Sequence, residues 1–378
     1  MMSVTDRYAI REMNEKLVLQ TIIDKQVISR ADLAKETKLN KATVSSIVAR
    51  LLEKNFVLEL GIGESSGGRK PILLKFNHQA GVALSIELGP KYTSFMFTYL
   101  NGEVLLEKRL TTYVHSVESA FDLISEEIAS ASEELGKSVY GLVGICIGLH
   151  GIVNENQLIF SPFYKFDSLR LKQWLEQKWQ VSAYLENEAN LSAIGEYKYS
   201  LSASNLISLN IKYGIGAGII LNDELYRGAN GFAGEIGHLI AVPDGGISCS
   251  CGNSGCLELY ASEYRILYTY GNESQMEDIS FERFLDDYRQ GHPAANAALS
   301  EFIKFIAIGI NNLITSFNPE VIILNSKLTT QIDGLMDKVN EEIKYRMNER
   351  IRIKASTLSE RSMLLGASYL ASRAFLGL

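Results

Sequence analysis

At 378 residues the chain is too long for one ordinary core and is expected to hold two or three domains. Its 46% apolar and 21% charged residues describe a soluble globular protein, and no apolar run approaches the roughly 20 residues of a membrane helix. The net charge of −7 argues by itself against a nucleic-acid binder.

That average hides an asymmetry. Residues 1–76 hold 13 Lys and Arg against 9 Asp and Glu, a balance of +4 that leaves −11 on the remainder. A basic head on an acidic body suits a local DNA contact, with the rest of the molecule repelled from phosphate. The first residues carry mixed charge and no apolar signal region, so a cytoplasmic protein is expected, without membrane contact.

The head reads as helices first. Residues 12–24 place Leu17, Val18, Ile22 and Ile23 at helical spacing. Ser29 can cap a second helix over 30–37, with Asp32 completing a capping box. Lys38, Leu39 and Asn40 form a tight turn, and Asn40 caps a third helix over 41–54. This is the helix-turn-helix pattern. Val44, Ile47, Val48, Leu51 and Leu52 make the buried stripe of the third helix, and Lys41, Thr43, Ser45, Ser46 and Arg50 its other face. Short hydroxyls and cations at that end can approach base edges and phosphates in a major groove. Strands over 57–61 and 71–76 then flank a glycine-rich tip ending in Arg69 and Lys70, which is what a wing needs to follow the DNA backbone.

From residue 77 the pattern becomes α/β. Strands are expected over 82–87, 92–100 and 103–112, an amphipathic helix over 119–135 and a buried strand over 141–147. A second unit opens with strands over 206–211 and 216–221, joined onward by a turn at Asn222-Asp223.

Three of the four cysteines, Cys249, Cys251 and Cys256, fall within eight positions among glycines, with His238 upstream. One imidazole and three thiolates make a closed tetrahedral set, the pattern of structural zinc with no position left for an activated water. Cys146 lies in an apolar strand and reads as packing. Glu235 and Glu258 bracket the ligand loop, and a carboxylate can accept from two adjacent hydroxyls of a sugar.

Several segments together resemble the ROK family of repressors and sugar kinases. They are Glu186-Asn187-Glu188-Ala189-Asn190, Gly231 through His238, Cys249 through Glu258, Asn318-Pro319-Glu320 with the following strand, and Leu365-Gly366-Ala367. The resemblance spans nearly the whole chain and is greatest to the xylose repressor branch. It implies a winged helix-turn-helix over 1–76 and a two-lobed, sugar-kinase-like body. The first lobe would cover 77–190, with the C-terminal helix 362–378 packing back on it, and the second 191–361. It also implies sugar contacts from Asn187, Glu235, His238 and Glu258, with Glu188 at the position of the kinase base.

Kinases of the family carry phosphate loops that this sequence departs from. An Asp-x-Gly-Gly-Thr loop is matched by Glu87-Leu88-Gly89-Pro90-Lys91, and a Gly-Thr-Gly-x-Gly loop by Lys212-Tyr213-Gly214-Ile215-Gly216. A late Gly-Gly pair is Asn325-Ser326. These changes imply that no kinase chemistry survives. His150 and the run Ser161 through Phe166 also depart from xylose-repressor-like relatives, which leaves the sugar open. The expectation is a homodimer on a palindromic operator, since one helix-turn-helix reads too few base pairs alone, with tetramers left open. The competing readings are a sugar kinase with a DNA-binding head and a regulator controlled by a protein partner.

Overall fold

Helix α1 (Val4–Lys25) buries Val18, Leu19 and Ile22 and leads into a short strand β1 (Val27–Ser29). The computed structural model describes residues 4–62, 72–112, 114–276, 279–344 and 350–378, with side chains at all of these but 4–8 and 62. Helix α2 (Arg30–Thr37) starts where Ser29 Oγ accepts from the Asp32 amide at 3.1 Å. The reciprocal bond differs from a capping box, because the Asp32 carboxylate accepts from the Ser29 hydroxyl instead. Lys38 takes the left-handed conformation at φ 57°, and Asn40 then caps α3 (Lys41–Glu53) by accepting from Thr43 N at 2.8 Å. Strands β2 (Val57–Ile62) and β3 (Ile72–Phe76) pair antiparallel, and β1 adds to β3 to give a three-stranded sheet. The tip between them, with Arg69 and Lys70, lies outside the described residues.

The first lobe follows with β4 (Val82–Leu88), β5 (Thr93–Tyr99) and β6 (Val104–Leu110). Helices α4 (Val117–Ser130) and α5 (Ser132–Leu135) replace the single helix expected over 119–135, the break falling at Ala131. Then come β7 (Leu142–Leu149), a small hairpin β8 (Ile152–Asn154) and β9 (Gln157–Phe160), α6 (Ser168–Trp179), β10 (Ser182–Asn187) and α7 (Glu188–Tyr199). The sheet order is β10-β7-β4-β5-β6, with β10, β7 and β4 parallel. Ala120, Ile124 and Ile128 of α4 with Leu171 and Leu175 of α6 cover one face.

The second lobe contains β11 (Leu206–Ile211), β12 (Ile215–Leu221) and β13 (Glu224–Leu225), with Asn222 and Asp223 both at positive φ in the intervening turn. Helices α8 (Glu258–Ala261), α9 (Glu263–Ser274), α10 (Phe281–Arg289) and α11 (Pro293–Phe317) precede β14 (Val321–Asn325). Helices α12 (Lys327–Gln331) and α13 (Leu335–Glu342), strand β15 (Arg352–Ala355) and helix α14 (Arg361–Leu376) complete the order. The second sheet runs β13-β12-β11-β14-β15, with β11, β14 and β15 parallel. By length and composition α11 could cross a bilayer, contrary to the expectation that no apolar stretch comes close. Its Leu299, Phe302, Ile306, Ile310 and Leu313 are instead buried in the second-lobe core.

Helix α14 returns across the first sheet, where Met363, Leu364, Ala367 and Ala371 pack with Ala83, Met96 and Cys146. It crosses α7 at very close range. A Cβ on Gly366 would stand 1.8 Å from the Leu191 carbonyl oxygen, and one on Gly195 would stand 2.0 Å from that of Ser362. Both obstacles are backbone, so neither can swing aside. The far end of α14 seats the head: Phe375 meets Phe56 and Tyr140 with ring centroids 5.6 and 5.2 Å away, Tyr140 Oη donates to Lys54 O, and Arg373 donates to Gln20. Gly366→Ala is expected to overpack this crossing and cost about 1–3 kcal/mol, read as a lower midpoint in urea unfolding.

Candidate functional site

The three parallel strands of the first lobe all point their C-terminal ends at the gap between the lobes, where α/β sheets usually bind ligands. They deliver Glu87 from β4, His150 just past β7, and Glu188 just past β10. From the other side come Lys212, just past β11, and Asn325 and Ser326 at the end of β14. All of these but Glu87, together with the loops around Glu235 and Glu258, line a cleft of about 1230 Å³.

Glu87 is buried and spans the lobes. Its Oε1 lies 3.0 Å from Lys212 Nζ and 3.2 Å from His150 Nε2, and accepts from Tyr92 Oη at 2.6 Å. Burial would raise the Glu87 pKa, but the Lys212 ammonium and the His150 and Tyr92 hydrogen bonds outweigh it and hold the carboxyl far below the usual range. Burial would lower the Lys212 pKa, and the Glu87 charge reverses that, so it is raised. A second ion pair, Arg227 Nη2 to Glu186 Oε2 at 2.7 Å, also crosses between lobes, and Glu186 is steadied by Asn190 Nδ2 at 3.0 Å.

Glu188, Glu235, His238 and Glu258 converge in the cleft. His238 Nε2 faces Glu235 Oε2 at 3.9 Å, and its Nδ1 faces Glu258 Oε1 at 3.6 Å. Burial, then the charges of Glu188 and Glu258, push Glu235 up to about 7. A group of carboxylates facing open space with one imidazole is suited to accepting hydrogen bonds from a polyol. Asn187 stands apart from this set. Its Oδ1 caps α7 by accepting from Ala189 N and Asn190 N, its Nδ2 donates to Gly151 O at 2.8 Å, and it does not line the cleft.

Beside the carboxylates, the ligand atoms of His238, Cys249, Cys251 and Cys256 all lie within 4.8 Å of one another. Cys249 Sγ is 3.6 Å from His238 Nδ1, and Cys251 Sγ is 3.6 Å from Cys256 Sγ. Tetrahedral bonds of about 2.0–2.3 Å to one ion give ligand separations of about 3.4–3.8 Å, so this donor set fits a metal. Nδ1 faces the thiols, which leaves Nε2 for the cleft.

On the head, Lys41 and Ser45 are exposed on α3 and Thr43 is half-buried. Arg50 is engaged within the head. Its Nε and Nη2 donate to Glu15 Oε2 at 3.0 Å, and its Nη1 donates to Ser46 Oγ at 3.2 Å. Lys54 completes this cluster on Glu15 at 2.6 Å. Reasoning from sequence missed Tyr92 and the pairing of Lys212 with Glu87, while His150, read as a departure that bears on the sugar, does line the cleft. It also missed Tyr264 and Tyr268, although two tyrosines four apart were a usable signal.

Fold and site define a class: a winged helix-turn-helix carried on a two-lobed body of the sugar-kinase type. The profile of the ROK family matches residues 83–374, and that of winged helix-turn-helix DNA-binding domains matches 14–57. The chain belongs to the ROK family. It is 34% identical to the xylose repressor of Bacillus spizizenii over 382 aligned positions, covering 99% of each chain. A crystal structure of a ROK family transcriptional regulator, described as a homolog of the E. coli MLC protein, superposes with a TM-score of 0.85 at 25% identity, covering 98% of both chains. The ROK glucokinase of Streptomyces griseus, solved with glucose and AMPPNP, shares the fold of the body at a TM-score of 0.68 and 24% identity, covering 78% of this chain and all of that one.

Lys212→Met is expected to destabilise the fold by about 3–5 kcal/mol by stranding the buried Glu87 charge, whereas Glu87→Gln combined with Lys212→Met should recover most of the loss. The pH dependence follows from the directions of the two shifts. Glu87 is lowered, so its contribution is full above its ordinary 4.5 and is lost as pH falls; Lys212 is raised, so its contribution is full below 10.5 and is lost as pH rises. Chemical denaturation across pH should show the penalty of Lys212→Met between those limits and a smaller one in acid.

Proposed function

We propose that the chain is a transcriptional repressor that leaves its operator when a sugar enters the interlobe cleft. The observation that carries this reading is the convergence of Glu188, Glu235, His238 and Glu258 on one cleft in a chain that also bears a winged head. Xylose is the leading effector, supported by the name of the 34% identical relative. Lys41, Thr43 and Ser45 approach base edges and phosphates, Ser46 lies beside them, and Arg50 holds the helix against α1 through Glu15. Arg69 and Lys70 of the wing contact the backbone. The protein acts in the cytoplasm as a homodimer on a two-fold operator.

The sugar is held by acceptors. Glu188 reaches it from the first lobe and Glu235, His238 Nε2 and Glu258 from the second, so binding draws the lobes together. Helix α7 begins at Glu188 and crosses α14, which ends against the head; closure at one end therefore shifts the seat at the other. About 2–3 kcal/mol of coupling would change operator affinity roughly 30- to 150-fold. Zinc is the metal assigned to His238, Cys249, Cys251 and Cys256. It closes the loop that carries Glu235 and Glu258 and fixes the His238 ring so that Nε2 faces the cleft.

No phosphoryl transfer is assigned to the chain. Lys212 is taken up by Glu87, and Arg109 by Glu360 at 2.6 Å. The Lys327 amide and Ser326 hydroxyl, near the late loop, already donate to the half-buried Glu263 at 2.6 and 2.7 Å. These donors and cations, which could otherwise serve a nucleoside triphosphate, are thus engaged within the protein.

Gel shifts with the DNA upstream of its own gene, with and without a sugar panel led by xylose, test the central claim. One sugar should release the DNA, and Glu235→Ala should keep DNA binding while losing that release. DNA binding that no sugar alters would sink the effector reading in favour of a protein partner. Lys41→Ala should weaken operator binding and reduce the salt slope by about 1. Metal analysis should find one zinc per chain, falling toward none in Cys251→Ser with a lower thermal midpoint.

A further inference from the structure

One wall of the cleft is a line of aromatic rings that the carboxylate site does not use. It starts beside His150, whose ring lies 6.2 Å from Phe163, and continues through Phe163 to Tyr213 at 6.0 Å, Tyr213 to Tyr264 at 4.8 Å and Tyr264 to Tyr268 at 6.4 Å. Tyr213, Tyr264 and Tyr268 are 50, 51 and 48% exposed, although side chains of this size ordinarily bury their faces. Their rings are nearly aligned, with interplanar angles of 32° and 29° along the last two steps. Tyr264 and Tyr268 sit four apart on α9 and so share one helix face.

This wall is continuous with the sugar-type site. Gly214 follows Tyr213 directly, and a Cβ there would touch Glu258 Oε2 at 2.9 Å. Size points the same way. The cleft, about 1230 Å³, exceeds the roughly 300–1,000 Å³ that encloses a drug-sized molecule, so one sugar ring at the carboxylates leaves most of it open. The same cleft is also lined by Ser326, Thr330, Gln331 and Glu282, polar groups of both hydrogen-bonding senses. A pyranose ring has an apolar C–H face and a rim of hydroxyls, and exposed tyrosine rings with polar side chains in one cleft match both.

We infer that this wall is a second carbohydrate subsite, and that the cleft takes an oligosaccharide of at least two rings whose terminal sugar sits at Glu188, Glu235 and Glu258. The inference rests on the sugar-binding reading above and extends it from a single ring to a chain. An adenine base could also stack on tyrosine, and the cleft lining holds both Glu263, Glu282 and Glu360 and Lys91, Arg265 and Lys327, so a nucleotide is the competing occupant that the test includes. The carboxylates accept hydrogen bonds from neutral hydroxyls.

Titration calorimetry on the full-length protein, with gel shifts in parallel, tests this with xylose, xylobiose and xylotriose, glucose and cellobiose, and AMPPNP. The disaccharide should bind about tenfold more tightly than its monosaccharide. Tyr264→Ala should abolish that gain and leave the monosaccharide Kd unchanged, and Tyr264→Trp should restore it. Equal Kd values for mono- and disaccharide, with the monosaccharide still releasing DNA, would overturn the second subsite and leave the sugar reading intact. Equal weakening of both ligands by Tyr264→Ala would overturn it too, as would AMPPNP binding that Tyr264→Ala removes. If none of these sugars binds or releases DNA, both the subsite and the sugar reading beneath it fall.

Discussion

A buried carboxylate with its ammonium partner on the opposite lobe constrains everything around it. Glu87 belongs to β4 and Lys212 to the turn after β11, so the pair fixes the distance between the two sheets at 3.0 Å between charged atoms. Tyr92 and His150 fill the remaining hydrogen-bonding capacity of Oε1, which is what makes burial tolerable. Separating the pair would leave a charge unpaired at a cost of several kcal/mol, more than the 1–3 kcal/mol that couples most effector sites. Any closing motion of the cleft must therefore pivot about this contact rather than break it. The Glu186–Arg227 pair adds a second crossing point, and together the two define an axis rather than a single hinge.

With the lobes so held, the metal cluster has a restricted task. Its four donors are one imidazole and three thiols, which leaves a bound ion no open position for chemistry. What an ion there would control is the path of the chain between Glu235 and Glu258. These two acidic side chains face the same imidazole, His238, which belongs to the donor set. Burial first, and then the charges of Glu188 and Glu258, raise Glu235 within this group.

Much of this was legible in the residues and some was not, for physical reasons. The helix-turn-helix could be read because caps, turn and apolar stripe are local signals; α2 begins and ends where Ser29 and Lys38 place it. Strand β1 was invisible because three residues carry no periodicity, and its existence depends on pairing with β3. The break between α4 and α5 was missed because the apolar spacing runs through Ala131 without interruption. The metal donors were legible because cysteines are scarce and these are close together. Lys212 was not, since its partner lies 125 residues away and nothing near either residue announces the pairing. Asn187 shows the converse difficulty: a motif fixes a residue type, but only the structure shows its side chain occupied with capping α7 and binding Gly151.

Helix α14 has a further consequence, for how the protein is made. It supplies one face of the first-lobe core and the aromatic seat of the head, yet about two hundred residues of chain separate it from the sheet it covers. On the ribosome the head and the first sheet emerge long before their cover does. Through the synthesis of the whole second lobe, the apolar side of β4 and β7 remains without its partner, and such surfaces invite association with other chains. Contacts this distant in sequence are also slow to form. The nascent protein therefore passes through an interval with its DNA-binding unit folded but unanchored, in which a chaperone has more to hold than an operator does.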